Sequence, residues 1–317
     1  MQIERNPRRR HVVAWRLLCA LVALYVGGSV LGGIGLGWIA LHPPTHPVTK
    51  LEEANAEARA NAASQQFSSV HLAALDGATL FGWFIQPLHA NGDAVVLLHG
   101  VTDNRLGMYG YGEWLLANNY AVLLPDARAH GLSSGLATYG LKEADDVHQW
   151  VNWLEDGYHP RCVYGLGESM GAAQLLQSLP KEPRFCAVVA ESAFASFREV
   201  AYARFGREFH TGPWLGSTFF RPTVEMGFLF VRLRYGLNME EASPKKAVER
   251  TGVPVMLIHG LEDRNIPSFH SNEIQSHNPS DIVVWKVPGA VHTGGHKVAP
   301  EEFEQRVLGW FGSHAMR

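Results

Sequence analysis

Ser169 stands at the centre of Gly167-Glu168-Ser169-Met170-Gly171, which fits G-x-S-x-G. A serine hydroxyl is a poor nucleophile until a base takes its proton, and the base needs an acid to orient it. Two later segments offer both. Asp263 closes Gly260-Leu261-Glu262-Asp263 after an apolar run, and His292 closes Gly289-Ala290-Val291-His292 after another. Serine, acid, histidine is the chain order in which one nucleophile-elbow architecture supplies its triad. The chemistry is acyl transfer, with Ser169 as nucleophile, Asp263 as acid and His292 as base. Glu262 is the alternative acid and His296 the alternative base. His292 and His296 also make H-x-x-x-H, but Gly294-Gly295 between them opposes a metal-binding helix, so no metal is expected.

Attack on a carbonyl creates an oxyanion, which needs aimed N–H donors. Met170 follows the nucleophile at a helix start, where unpaired N–H groups favour anionic oxygen. Val101, after His99-Gly100, is the candidate for the second donor. The His99 side chain is expected to brace that loop. The chemistry needs no cofactor.

These residues must be held by a sheet. The elbow needs a strand, Cys162 to Leu166, turning into a helix from Met170. Wholly apolar runs at Ala94–Leu98, Ala121–Leu124, Ala187–Ala190 and Val253–Ile258 read as strands covered on both faces. Phe67–Leu75 and Thr79–Gln86 flank the turn signal Asp76-Gly77, and Ile282–Val287 is the last strand. Helical spacing falls near Gly107–Asn118, Leu141–Glu155, Pro267–Ser276 and Pro300–Phe311. Strands alternating with helices predict a mostly parallel eight-stranded sheet with helices on both faces. Ligands on such sheets bind beyond the strands' carboxyl ends, where every candidate above falls.

The combination resembles the α/β-hydrolase superfamily, most closely membrane-anchored serine hydrolases similar to the prolyl-oligopeptidase hydrolase domain. The stretches that carry it are Leu98–Val101 (LHGV), Asp126–Gly135 (DARAHGLSSG), Gly165–Ala172 (GLGESMGA), Glu191–Phe194 (ESAF), Ser243-Pro244, His259–Pro267 (HGLEDRNIP) and Gly289–His292 (GAVH). The resemblance implies the same roles for Ser169, Asp263, His292, Val101 and Met170. It implies a structural role for Asp126 and Arg128. A serine nucleophile also excludes the dehalogenases and epoxide hydrolases, which use aspartate.

About 194–240 interrupts the alternation with Phe205, Trp214, Phe219, Phe220, Phe228, Phe230 and Tyr235. Its position is where this fold carries a cap, so a helical lid over an apolar acyl pocket is expected. Trp214, Phe219, Phe220 and Phe228 are the substrate-binding candidates.

Residues 1–16 form a basic segment with Arg5, Arg8, Arg9, Arg10 and Arg16. Leu17–Leu41 follows with no charge over 25 positions, where about 20 suffice for a spanning helix. A cleaved signal peptide is the rival reading, but its apolar core is usually about 7–15 residues and no convincing A-x-A site follows, so an uncleaved anchor is expected. The arginines precede the span, which places the N-terminus in the cytoplasm and the main domain outside. Gly28/Gly32 and Gly33/Gly37 form G-x-x-x-G pairs, a weak signal in so glycine-rich a span. Residues 42–66 read as a linker with a solvated helix, and 67–317 as the hydrolase domain. Cys162 and Cys186 begin neighbouring strands. A disulfide outside the cytoplasm is one reading, and two small buried apolar residues is the favoured one.

The 317 residues carry a net charge of -3, with 46% apolar and 18% charged residues, so no nucleic-acid partner is expected. The function expected is hydrolysis of carboxylic esters or thioesters of lipid-like or medium acyl groups, as small-molecule substrates. A serine peptidase is the alternative in the same class. A tethered, non-catalytic binding protein is the alternative of another class.

Overall fold

The computed structural model describes residues 7–208 and 213–316. Residues 1–6 of the basic segment, and the side chains of residues 7–10 and of Phe205, lie outside what is described.

The strands are β1 (Gln66–Ala73), β2 (Thr79–Gln86), β3 (Ala94–Leu98), β4 (Ala121–Pro125), β5 (Val163–Glu168), β6 (Phe185–Glu191), β7 (Val255–Gly260) and β8 (Ile282–Val287). The helices are α1 (Pro7–Leu41), α2 (Lys50–Ala62), α3 (Tyr109–Ala117), α4 (Glu143–Gly157), α5 (Met170–Ser178), α6 (Phe197–Glu208), α7 (Pro213–Ser217), α8 (Arg221–Tyr235), α9 (Pro244–Ala247), α10 (Phe269–His277), α11 (Gly295–Val298) and α12 (Pro300–Ser313).

All eight strands form one sheet in the order β1-β2-β4-β3-β5-β6-β7-β8. β1 pairs antiparallel with β2, and β2 antiparallel with β4; every other pairing is parallel. The period-two geometry of the central strands sorts their residues onto two faces. Val95, Leu97, Val122 and Leu124 face a core shared with α2, α3 and α12. Val96, Leu98, Ala121 and Leu123 face a core shared with α4, α5 and α10. Because both faces are covered, β3 and β4 are buried at every position, as their unbroken apolar runs require.

The expected solvated helix in 42–66 is a docked one. A capping box between Thr49 and Glu52 starts α2. Ala56 and Ala60, four residues apart, then enter the core, and Tyr109 Oη donates to Ala56 O at 3.0 Å. The small side chains allow that close approach.

The favoured reading of the cysteines is also overturned. Cys162 and Cys186 form a disulfide with a Cα–Cα distance of 5.7 Å. Val163 pairs with Phe185 but Tyr164 pairs with Ala187, so Cys186 is the extra residue of a bulge. The bulge, and not a level register, brings the two together beside the nucleophile strand.

The chain divides into two compact units. One comprises Leu41–Val200 and Met239–Arg317 and holds the sheet. The other comprises Met1–Ala40 and Ala201–Asn238, that is, α1 with α7, α8 and most of α6. Within it Ser29, Gly33 and Gly37 form the buried stripe of α1, and Thr223, Val224, Gly227 and Val231 that of α8. Most of α1 is exposed and strongly apolar, and it is long enough to cross a membrane.

Candidate active site

β5 delivers Ser169 and α5 begins at Met170. Between them Ser169 takes φ 50° and ψ -109°, a conformation that side chains rarely adopt and that marks functional sites. The flanking glycines make the turn possible. A Cβ on Gly167 would lie 2.7 Å from the Gly171 carbonyl oxygen, and one on Gly171 only 2.2 Å from Leu98 O. Ser169 N–H donates to Glu191 O at 2.8 Å, which ties the elbow to β6.

Asp263 and His292 come from the ends of β7 and β8, at the same sheet edge. Ser169 Oγ lies 2.8 Å from His292 Nε2. His292 Nδ1 lies 2.7 Å from Asp263 Oδ2. A carboxylate only accepts, so Nδ1 carries the hydrogen and Nε2 is left to accept from the serine hydroxyl. Asp263 Oδ1 takes the N–H groups of Asn265 and Ile266, each at 2.9 Å. Burial pushes the Asp263 carboxyl up, but hydrogen bonds from His259 and His292 outweigh it and hold the group well below the usual carboxylate range. Asp263 is therefore an ionised anchor for the imidazole. The alternative acid Glu262 is exposed, and the alternative base His296 pairs with Glu304 at 3.0 Å.

The loop after β3 packs against the elbow: a Cβ on Gly100 would lie 3.6 Å from Ser169 Cβ. The loop that carries Val101 thus starts beside the nucleophile, and Met170 opens α5 directly after it. His99 braces the loop. Its Nδ1 donates to Gly100 O at 2.8 Å and its Nε2 accepts from Ala127 N at 3.0 Å. Burial lowers the His99 pKa, which suits this neutral role.

Asp126 and Arg128 are structural. Asp126 accepts from the Arg105 guanidinium and from the Arg105 and Leu132 backbone N–H groups, both at 2.8 Å. Arg128 grips Asp146 through two nitrogens, at 2.5 and 2.7 Å.

A second buried cluster flanks the elbow. Tyr111 Oη lies 2.7 Å from Glu168 Oε1 and 3.1 Å from Glu191 Oε2. Glu191 Oε1 also accepts the Gly295 N–H at 2.7 Å, three residues after His292. Burial first, then the Glu191 charge, raises the Glu168 carboxyl to about 8. Burial also raises Glu191. The sequence signalled this cluster poorly, because Glu168 is a variable position of the elbow motif and Tyr111 lies in no motif at all.

Glu199, His270 and Glu273 bring three ligand atoms within 4.8 Å of one another. Lys245 Nζ already lies 2.6 Å from Glu199 and 2.5 Å from Glu273, so an ammonium supplies the positive charge there. Trp214, Phe219, Phe220 and Phe228 all fall in the unit that contains α1; Trp214 and Phe219 are exposed, and Phe220 and Phe228 partly buried.

Residues 95–307 match the model of the alpha/beta hydrolase family, and the chain belongs to that family. It is 31% identical over 195 residues to the uncharacterized protein YqkD of Bacillus subtilis, an overlap of 60% of this chain and 61% of that one. It is 28% identical over 218 residues to the uncharacterized protein YfhR of Escherichia coli K12, covering 66% and 67% of the two chains. Among solved structures it is similar to the Pyrococcus furiosus esterase Pf2001, with a TM-score of 0.66 and 27% identity over 87% of this chain and 98% of that one. An acylaminoacyl peptidase of Pyrococcus horikoshii shares the fold at 15% identity and a TM-score of 0.58, covering 78% of this chain and 41% of that one.

Proposed function

We propose that the protein is a serine hydrolase that cleaves carboxylic esters, thioesters included, through an acyl-enzyme on Ser169. The observation that carries this reading is the unbroken chain Ser169 Oγ–His292–Asp263, with contacts of 2.8 and 2.7 Å and a backbone at Ser169 that no ordinary turn needs. Ser169 Oγ attacks the acyl carbon while His292 Nε2 takes its proton, and Asp263 stabilises the imidazolium without being protonated. The Met170 and Val101 N–H groups receive the oxyanion. Collapse expels the alcohol or thiol, which takes the proton from His292. Water, deprotonated by the same nitrogen, then releases the acid and restores Ser169.

The likeness to an esterase across nearly the whole of that enzyme favours esters over amides. Leu17–Leu41 would anchor the protein by a single pass with the N-terminus in the cytoplasm. The Cys162–Cys186 disulfide supports a catalytic domain on the oxidising side. The test is a panel of p-nitrophenyl esters, acyl thioesters and aminoacyl amides given to the purified full-length protein. Esters of short to medium acyl chains should turn over fastest. A clear preference for amides would make the protein a peptidase and overturn the ester assignment.

A further inference from the structure

The helices of the expected cap share a compact unit with α1. Resting on the membrane reading above, we propose that α7 and α8 lie in the bilayer beside the anchor, and that the groove they form with it holds an acyl chain of a bilayer phospholipid.

Depth decides the first part. Leu17 begins the uncharged run, so at 1.5 Å per residue Tyr25 lies roughly 12 Å and Gly33 roughly 24 Å above it, both within a hydrocarbon core of ~30 Å. Tyr25 Oη donates to Phe219 O at 2.5 Å, and the two rings are 5.1 Å apart. Further up, the backbones touch. A Cβ on Gly33 would lie 2.6 Å from Thr223 O and 2.8 Å from Gly227 N, and one on Gly37 2.9 Å from Gly227 O. Small residues that let backbones meet are how helices associate inside lipid. Contacts rise together along both chains, from Tyr25 with Phe219 to Gly37 with Val231, so α8 runs beside α1 in the same direction. A helix in direct contact with α1 at those depths is at those depths itself.

The surface of the unit fits lipid. Trp214, Phe219, Leu229 and Leu233 are exposed at 69%, 53%, 43% and 77%, a cost in water that disappears in hydrocarbon. Arg221, its side chain 63% exposed, lies 4.0 Å from Glu225, which also accepts from Tyr202; it is the one charge of α8 that must reach toward a headgroup from within the core. Arg232 and Arg234 fall in the last turn of α8, level with the outer end of α1, where long side chains reach the headgroups.

Between α1 and the cap lies a groove of about 530 Å³, lined by Leu24, Tyr25, Leu36 and Ile39 on one side and Phe219 and Phe220 on the other. Its volume is that of ligand sites, roughly 300–1,000 Å³. Gly28 and Gly35 line it, and a Cβ on either would meet nothing within 4 Å. An apolar groove at bilayer depth is filled by what surrounds it, and the surrounding solvent is acyl chain.

The test uses the full-length protein in phosphatidylcholine vesicles that carry a phosphatidylcholine with a diazirine in mid-chain. After irradiation, adducts are mapped by peptide mass spectrometry. Adducts are expected on the Trp214–Thr223 segment as well as on α1. Gly28→Leu and Gly35→Leu, which add bulk to the groove from positions where a Cβ meets nothing within 4 Å, should cut labelling of that segment several-fold and leave vesicle association intact. Adducts confined to α1, or a groove closed by a second copy of the chain in cross-linking, would overturn the inference. A protein that alkaline carbonate strips from the vesicles, with no adducts anywhere, would instead remove the membrane reading beneath it.

Discussion

Tyr111 Oη lies 2.7 Å from Glu168 Oε1, within one residue of the nucleophile, and Glu191 Oε2 lies 3.1 Å from the same hydroxyl. A tyrosine has one hydrogen to give. One hydroxyl hydrogen thus serves two buried carboxyl groups, and burial favours a proton on one of them. Glu191 in turn receives the Gly295 N–H, so the cluster links the elbow to the loop that carries His292.

That proton makes stability depend on pH. Glu168 is raised by burial and by Glu191 to about 8, and Tyr111 and Asp103 also face it. Its folded pKa exceeds its unfolded value, so its contribution is fully present below about 4.3 and is lost as pH rises through about 8. Thermal unfolding should show a midpoint that falls across that window. Glu168→Gln should flatten the fall, and a slope unchanged in Glu168→Gln would contradict the shared proton.

The disulfide should matter for stability more than for chemistry. It closes a loop of 24 residues, and a loop of that size is worth about 3 kcal/mol by its effect on the unfolded chain. Denaturant unfolding of the Cys162→Ser/Cys186→Ser double variant should show a loss of that order, with kcat near wild type at low temperature. A stability equal to wild type would mean that the cross-link constrains nothing.

Asp263 and Glu262 are adjacent in sequence and differently placed: Asp263 is buried against His292, and Glu262 is exposed. Asp263→Asn replaces a charged acceptor of His292 Nδ1 by a neutral amide that can present an N–H, and should lower kcat by about 10⁴, the cost of the wrong imidazole tautomer. Glu262→Gln, at an exposed position, should leave kcat unchanged. Steady-state kinetics on one p-nitrophenyl ester separate the two, and a reversed pattern would reassign the acid.

Gly171 and Gly100 make a second contrast. A Cβ on Gly171 would lie 2.2 Å from Leu98 O and 2.6 Å from His99 O, contacts no backbone tolerates. Gly171→Ala should lower both the unfolding midpoint and kcat, because it forces α5 from the end of β3 and the loop after it. Gly100→Ala meets its nearest atom at 3.6 Å and should fold like wild type. Equal stability of the two variants would count against the close packing of elbow and loop.

The site was legible where chemistry constrains sequence. Ser169, Asp263 and His292 follow separate strands in one order, and unbroken apolar runs located those strands. What was not legible depends on partners far along the chain. Cys162 and Cys186 meet because a bulge at Val163/Tyr164 adds one residue, which no residue count reveals. That Gly227, within 194–240, packs on Gly33 and Gly37 is a contact between distant stretches that no local pattern announces. Tyr111 sits among glycines and aromatics without a motif, so its carboxylates become visible only once α3, β5 and β6 are folded together. Ala56 and Ala60 could not be told apart by spacing from Ala54, Ala58 and Ala62, which stay exposed on the same helix.

The central claim is that Ser169 is a nucleophile activated by His292. Labelling of the folded full-length protein with a fluorophosphonate, with the adduct located by mass spectrometry, tests it directly. One adduct on Ser169 is expected, absent in Ser169→Ala and slowed by orders of magnitude in His292→Ala. Folded wild-type protein that takes no label, or takes it on another residue, would contradict the account.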